Sequence, residues 1–90
     1  MRMVWRAMAL QDRIRITDHI AKDKPEAAIR LDEAFEEKAS RTLLNPLLYK
    51  KGRYPGTREI VVRPNYVIVF RTTKQVVEII RILHARQQWP

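Results

Sequence analysis

The sequence predicts an α+β fold of order β-α-α-β-β-β, with an α-helical hairpin packed against an antiparallel sheet. Three observations predict it. Apolar residues recur at three- and four-residue steps through residues 7–39, with one break at Asp23-Lys24-Pro25-Glu26. From Arg58 onward the period drops to two, in three runs rich in Val and Ile that are separated by Pro64-Asn65 and by Thr73-Lys74. A short apolar run, Met3-Val4-Trp5, stands ahead of both patterns between Arg2 and Arg6.

Met3 to Trp5 is long enough for one strand. Ala7, Leu10, Ile14, Thr17 and Ala21 then form the apolar stripe of a first helix over about Ala7 to Lys22, with charged residues between them. Pro25 at a first helical position loses no hydrogen bond, and Glu26 in the first turn suits the helix dipole, so a second helix starts there. Its stripe is Ala28, Leu31, Phe35 and Ala39; Asp32, Glu33, Glu36 and Glu37 fall largely on the other faces, and Asn45-Pro46 marks its end. The short connection makes the two helices an antiparallel hairpin.

Leu47 to Gly56 reads as a loop from its Gly content and the Pro at 55, and it carries the basic run Lys50, Lys51, Arg53. The strands that follow are Arg58 to Arg63, Tyr66 to Thr72 and Val76 to Leu83. Connections this short require antiparallel neighbours, so the three form a meander. One sheet face is expected to lie under the hairpin, burying Phe35, Leu31 and Ile14 against Ile60, Ile68 and Ile79. The 90 residues form one domain over 1–90, with no linker, repeat or low-complexity segment.

Composition narrows the function. With no Cys and two His, a disulfide scaffold, a thiolate zinc site and a Cys nucleophile are excluded, and neither metal nor cofactor is expected. Arg6, Gln11, Asp12 and Arg13 interrupt the opening segment before a secretory core forms, and apolar runs such as Tyr66 to Phe70 fall far short of a membrane span of about 20 residues. A cytoplasmic protein without membrane contact is the expectation. The formal net charge is +8, and it is lopsided: residues 1–45 hold nine basic and eight acidic residues, residues 46–90 nine and two. Nucleic acid, anionic lipid or an acidic protein surface would each be attracted.

The side chains best placed for chemistry are His84 and Arg86, with Arg58 and Tyr66 on neighbouring strands. Alternate strand residues share a face, so His84 and Arg86 are expected to point the same way. His titrates near neutrality and Arg grips phosphate in a bidentate fork, a pair suited to activating a 2′-hydroxyl and neutralising the phosphate of RNA. Polar residues sharing a strand face are common, and the same residues read more simply as a solvated strand end or a protein interface. His19, beside Asp18, has no partner at ligand spacing and reads as a surface residue. Tyr66 reads as a packing residue, and Lys50, Lys51 and Arg53 as phosphate contacts or a solvated turn. Trp89 either folds back on the sheet or is offered to a partner as an aromatic anchor.

Several segments together resemble the toxins of the ParE/RelE superfamily of bacterial type II toxin-antitoxin modules. They are Pro25-Glu26-Ala27-Ala28 opening the second helix, Pro55-Gly56-Thr57-Arg58-Glu59-Ile60-Val61, Pro64-Asn65-Tyr66, and Leu83-His84-Ala85-Arg86. The resemblance covers essentially the whole chain and implies the RelE/ParE-like fold. RelE-like members are ribosome-dependent messenger RNA endonucleases with basic residues on the sheet. Arg86 matches one of these and Arg58 could stand for another, so a nuclease site would be Arg58, His84 and Arg86. Val67 follows Tyr66 where an Arg is usual, however, and Ile60 stands where a further Lys or Arg is expected, which removes charge stabilisation that phosphoryl transfer needs.

The ParE-like branch lacks that basic set, and the His-Ala-Arg ending followed by an aromatic residue resembles it most. It implies a plasmid-stabilisation type of toxin that inhibits DNA gyrase and blocks replication, with no catalytic residue. Arg81, His84, Arg86 and Trp89 are then the candidate target contacts, without sequence-specific nucleic-acid binding. It also implies a ParD-like cognate antitoxin in a hetero-oligomer, whose acidic amphipathic segment would cover the basic sheet half and a shallow hairpin groove. A nuclease using His84 and Arg86, and a non-toxic binding module, are the alternatives.

Overall fold

The computed structural model describes residues 1–63 and 65–90. The Pro64 half of the expected Pro64-Asn65 turn lies outside the described residues. The element order is β1 (Arg2–Trp5), α1 (Ala7–Ala21), α2 (Pro25–Arg41), a single 3₁₀ turn (Pro46–Leu48), β2 (Arg58–Val62), β3 (Tyr66–Thr72) and β4 (Val76–His84). The strands form one sheet in the order β1-β4-β3-β2.

The meander forms as its short turns require, with β2 antiparallel to β3 and β3 antiparallel to β4. The sheet as a whole is mixed, which corrects the expectation of a wholly antiparallel one: β1 pairs in parallel with β4, from Arg2 opposite Val76 to Trp5 opposite Ile79. The physical reason lies in the connections. Tight turns dictate direction only between β2, β3 and β4, whereas β1 reaches the sheet through the whole helical hairpin and is free to run either way.

Ile80 is an extra residue in β4, since Val69 pairs with Arg81 and Phe70 with Ile79. This bulge resets the alternation, so that Val77, Ile79 and Ile82 all join the helix-side core although the last two are three positions apart. Leu31, Phe35 and Ala39 of α2 and Ala9 of α1 meet them there, with Ile60, Val62, Ile68 and Phe70. The α2 stripe of Ala28, Leu31, Phe35 and Ala39 is buried as its period demands. α2 ends at Arg41, ahead of Asn45-Pro46, because the buried Thr42 hydroxyl donates to the Ala39 carbonyl at 2.6 Å and the next amides close three-residue turns.

The inward face of α1 differs from the expected stripe. Ala9 and Asp12 are buried, with Ile16 and Ile20 packed against the core, while Leu10 and Ile14 stay exposed. Ile14 is therefore not a core residue. The cause is the end of β1: the Arg6 amide makes the last bond to β4, at the Ile79 carbonyl, 2.9 Å. Beyond it the Ile82 N–H has no strand to pair with, and the Asp12 carboxylate accepts it at 2.9 Å. Satisfying that buried donor rotates α1 about its axis.

The opposite sheet face is smaller. Val67, Val69 and Leu83 form a second buried cluster, covered by Trp89. The outer edge of β2 is closed by residues 50–52: Glu59 N–H donates to the Lys50 carbonyl and Gly52 N–H to the Thr57 carbonyl. A side chain at Gly52 would collide with the Thr57 hydroxyl, so only glycine lets the segment lie this flat.

Candidate functional site

Ion pairing decides which cations are available. Arg81 grips the buried Asp12 through Nε at 2.7 Å and Nη2 at 3.1 Å, and Arg15 reaches the same carboxylate at 3.1 Å. Burial pushes the Asp12 carboxyl up, but the hydrogen bonds from Arg81, Ile82 N–H and Arg15 bring it below its ordinary value. Arg53 holds Glu59 with its backbone amide, Nε and Nη2, at 2.9, 2.9 and 3.2 Å, which likewise outweighs burial and lowers that carboxyl. Glu78 accepts from Arg71 and Arg6 at 2.9 and 2.8 Å, and these bonds lower it too. Both carboxylates of the basic half are thus engaged. Lys50, Lys51, Arg58, Lys74 and Arg86 make no ion pair among the described residues.

The structure brings the expected site residues together in two groups. His84 ends β4 opposite Tyr66, their rings edge-on at 5.8 Å, and Tyr66 in turn meets Phe35 at 5.8 Å. Tyr66 is thus a packing residue between core and strand end. Arg86 lies past the strand in a turn, so the shared-face argument does not extend to it. The turn joins it to His84 differently: Arg86 N–H donates to His84 Nδ1 at 3.2 Å, Ala85 N–H to the Asn65 carbonyl at 2.7 Å, and Gln87 N–H to the His84 carbonyl at 2.9 Å.

Arg81 and Trp89 form the second group. They border a groove of about 490 Å³ on the outer sheet face, together with Tyr54, Arg6 and Arg71. Trp89 folds back, its ring 5.7 Å from that of Tyr54, and Arg53 Nη1 ties the tail down by donating to the Gln87 carbonyl at 2.9 Å.

Arg58 joins neither group. It stands at the opposite end of β2 from Val62, which pairs with Tyr66 and through it with His84. Four residue steps along a strand amount to roughly 13 Å. Its Nη1 donates to the Tyr49 carbonyl at 2.7 Å. Val67 and Ile60, the two positions without the expected cation, are buried in the two apolar clusters. His19 is exposed. Asp12 is the residue that sequence reasoning misses, although three steps from Ala9 and four from Ile16 place it on one helical face with them. Among the described residues no group of His, Asp and Glu could hold a metal ion, and no helix is long and apolar enough to cross a membrane.

A helical hairpin on one face of this four-stranded mixed sheet is the fold of bacterial toxins from type II toxin-antitoxin systems. A solved structure of the chromosomal ParDE toxin-antitoxin system of Pseudomonas aeruginosa matches it with a TM-score of 0.83 at 22% identity, over 93% of this chain and 95% of that one. The model of the family "ParE toxin of type II toxin-antitoxin system, parDE" matches residues 3–89, and the chain belongs to that family. It is 34% identical over 90 residues to the Y4kP protein of Sinorhizobium fredii, covering 99% of this chain and 93% of the relative. It is also 35% identical over 85 residues to the toxin RelE2 of Caulobacter vibrioides, covering 92% and 93%.

Proposed function

We propose that this toxin acts by binding DNA gyrase and disturbing its cleavage and religation of DNA, and that it does so without a catalytic residue of its own. The observation that carries the reading is the scatter of the cations a ribonuclease would gather. Arg58 lies roughly 13 Å along β2 from the level of His84 and Arg86, with its Nη1 donating to the Tyr49 carbonyl. Phosphoryl transfer needs preorganised positive charge around one phosphate, and the two positions expected to carry it, Val67 and Ile60, are apolar and buried in separate clusters. The exposed strand end with His84 and Arg86, and the separate groove bordered by Arg81 and Trp89, suit contact with a protein surface.

The toxin works in the cytoplasm and is held inactive in a hetero-oligomer with a ParD-like antitoxin, a reading supported by its likeness to the Pseudomonas ParDE toxin-antitoxin system. The test is a supercoiling assay with purified gyrase and excess toxin: inhibition with trapped cleaved DNA is expected, and unaffected supercoiling would overturn the proposal. Messenger RNA cut at defined positions during translation, lost in His84→Ala and Arg86→Ala, would replace it with the RelE-like reading.

A further inference from the structure

Two groups of large apolar side chains stand exposed among the described residues. The first is on the hairpin, where Leu10 and Ile14 of α1 and Ile29 of α2 are 42, 58 and 61% exposed. The second is on the connection from α2 to β2, where Leu44, Leu47 and Leu48 are 87, 66 and 78% exposed. Local structure explains why these leucines face outward. The buried Thr42 ends α2, Pro46 starts the 3₁₀ turn, and Leu43 and Tyr49 take the inward positions, Tyr49 meeting Phe70 edge-on at 5.6 Å. Exposed leucines grouped this closely in sequence are the kind of surface that a partner covers.

Charge tells the two surfaces apart. On the hairpin, Ile29, but neither Leu10 nor Ile14, borders a groove of about 360 Å³ whose walls carry Asp18, Asp32 and Glu33. Asp18 and Glu33 have no ion-pair partner among the described residues, and Arg13 takes Asp32. An acidic segment laid there meets like charge. Leu47 borders a groove of about 470 Å³ that also contains Lys51 and Arg58, and Lys50 adjoins it in sequence. Those three cations form no ion pair among the described residues, so an acidic segment would find both apolar contacts and unpaired positive charge.

We propose that Leu44, Leu47 and Leu48, with Lys50, Lys51 and Arg58, form the docking surface for an acidic amphipathic segment of the antitoxin, and that the hairpin groove does not. The inference rests on the reading that an antitoxin neutralises this toxin; it is independent of what the toxin poisons. The occupant is a helical segment with apolar side chains three or four positions apart, which reach the leucines, and Asp or Glu beside them facing the cations.

The test measures the affinity of full-length cognate antitoxin for the intact toxin and for three variants: Leu44→Glu/Leu47→Glu/Leu48→Glu, Lys50→Glu/Lys51→Glu, and the hairpin control Leu10→Glu/Ile14→Glu/Ile29→Glu. All replaced side chains are solvent-exposed, but Lys50 also helps lower the buried Glu59 carboxyl, so melting temperatures are checked first and affinities are compared where every variant is folded. The leucine variant is expected to lose about 100-fold in affinity and the lysine variant about 10-fold with a flatter salt dependence, while the hairpin control stays within about threefold. The inference is overturned if the hairpin control loses the affinity instead, if all three bind like the wild type, or if the leucine variant keeps the antitoxin and loses only toxicity. A wild-type toxin that binds no antitoxin would overturn the antitoxin reading itself, and this surface with it.

Discussion

At the scale of single residues, Asp12 ties α1 to β4. One carboxylate on α1 satisfies a strand amide, neutralises a largely buried guanidinium and reaches a second Arg across one helical turn. Asp12→Ala would leave the Ile82 N–H and Arg81 without their partner. Removing one side of such a buried pair costs about 3–5 kcal/mol, a loss that urea denaturation would register as a lower midpoint at unchanged slope. The same bonds set a pH dependence. Asp12 titrates below its ordinary 3.8 in the folded state, and Glu59 below its ordinary 4.5. A depressed folded pKa means the unfolded chain binds protons first, so this stability is complete above about pH 5 and falls away as pH drops through the folded values. Thermal melts from pH 7 to pH 3 should show a plateau and then a steep decline, and Glu59→Gln should shrink the decline. A melting temperature that stays flat to pH 3 would show that these carboxylates are not depressed.

At the scale of elements, the two helices teach opposite lessons about patterning. In α2 the stripe read from spacing is the buried face, because only apolar residues compete for it. In α1 two apolar stripes exist, and the one through Ile16 and Ile20 wins since Asp12 travels with it and finds a donor on β4. Phe35→Ala should therefore cost about 3–5 kcal/mol by opening a core cavity, whereas Ile14→Ala should stay within about 0.5 kcal/mol, as chemical denaturation of both would show. The C-terminal tail behaves as an element too. Trp89→Ala uncovers Val67, Val69 and Leu83 and should lower stability by about 1–2 kcal/mol. The strands, their meander and the hairpin were legible because turn chemistry and period are local. The parallel placement of β1, the bulge at Ile80 and the ion pairs joining residues far apart in sequence were not, since each depends on which backbone groups remain unpaired after the chain has folded. The same division runs through the candidate site: His84 and Arg86 could be picked out by residue type, but that they meet through a turn amide, with Arg58 at the far end of β2, could not.

At the scale of the whole molecule, a net charge of +8 on 90 residues remains after every ion pair is formed, because pairing removes equal numbers of both signs. The unpaired cations are spread over both ends of the sheet, with Lys74 at the turn between β3 and β4 and Arg86 past the far end of β4. A distribution of this kind steers an acidic partner from beyond contact range, and its reach contracts with the Debye length from about 14 Å at 50 mM salt to about 4 Å at 500 mM. Association with an acidic antitoxin should accordingly slow by about tenfold or more over that range, while dissociation, set by contacts already made, changes much less. Lys74→Glu/Arg86→Glu alters the long-range field without touching the leucine surface, so it should lower the association rate and flatten its salt dependence, leaving the dissociation rate near the wild-type value. Stopped-flow mixing at several salt concentrations separates the two rates. A salt-independent association rate would mean that the charge asymmetry serves solubility, and that partner encounter is governed by the apolar surface alone.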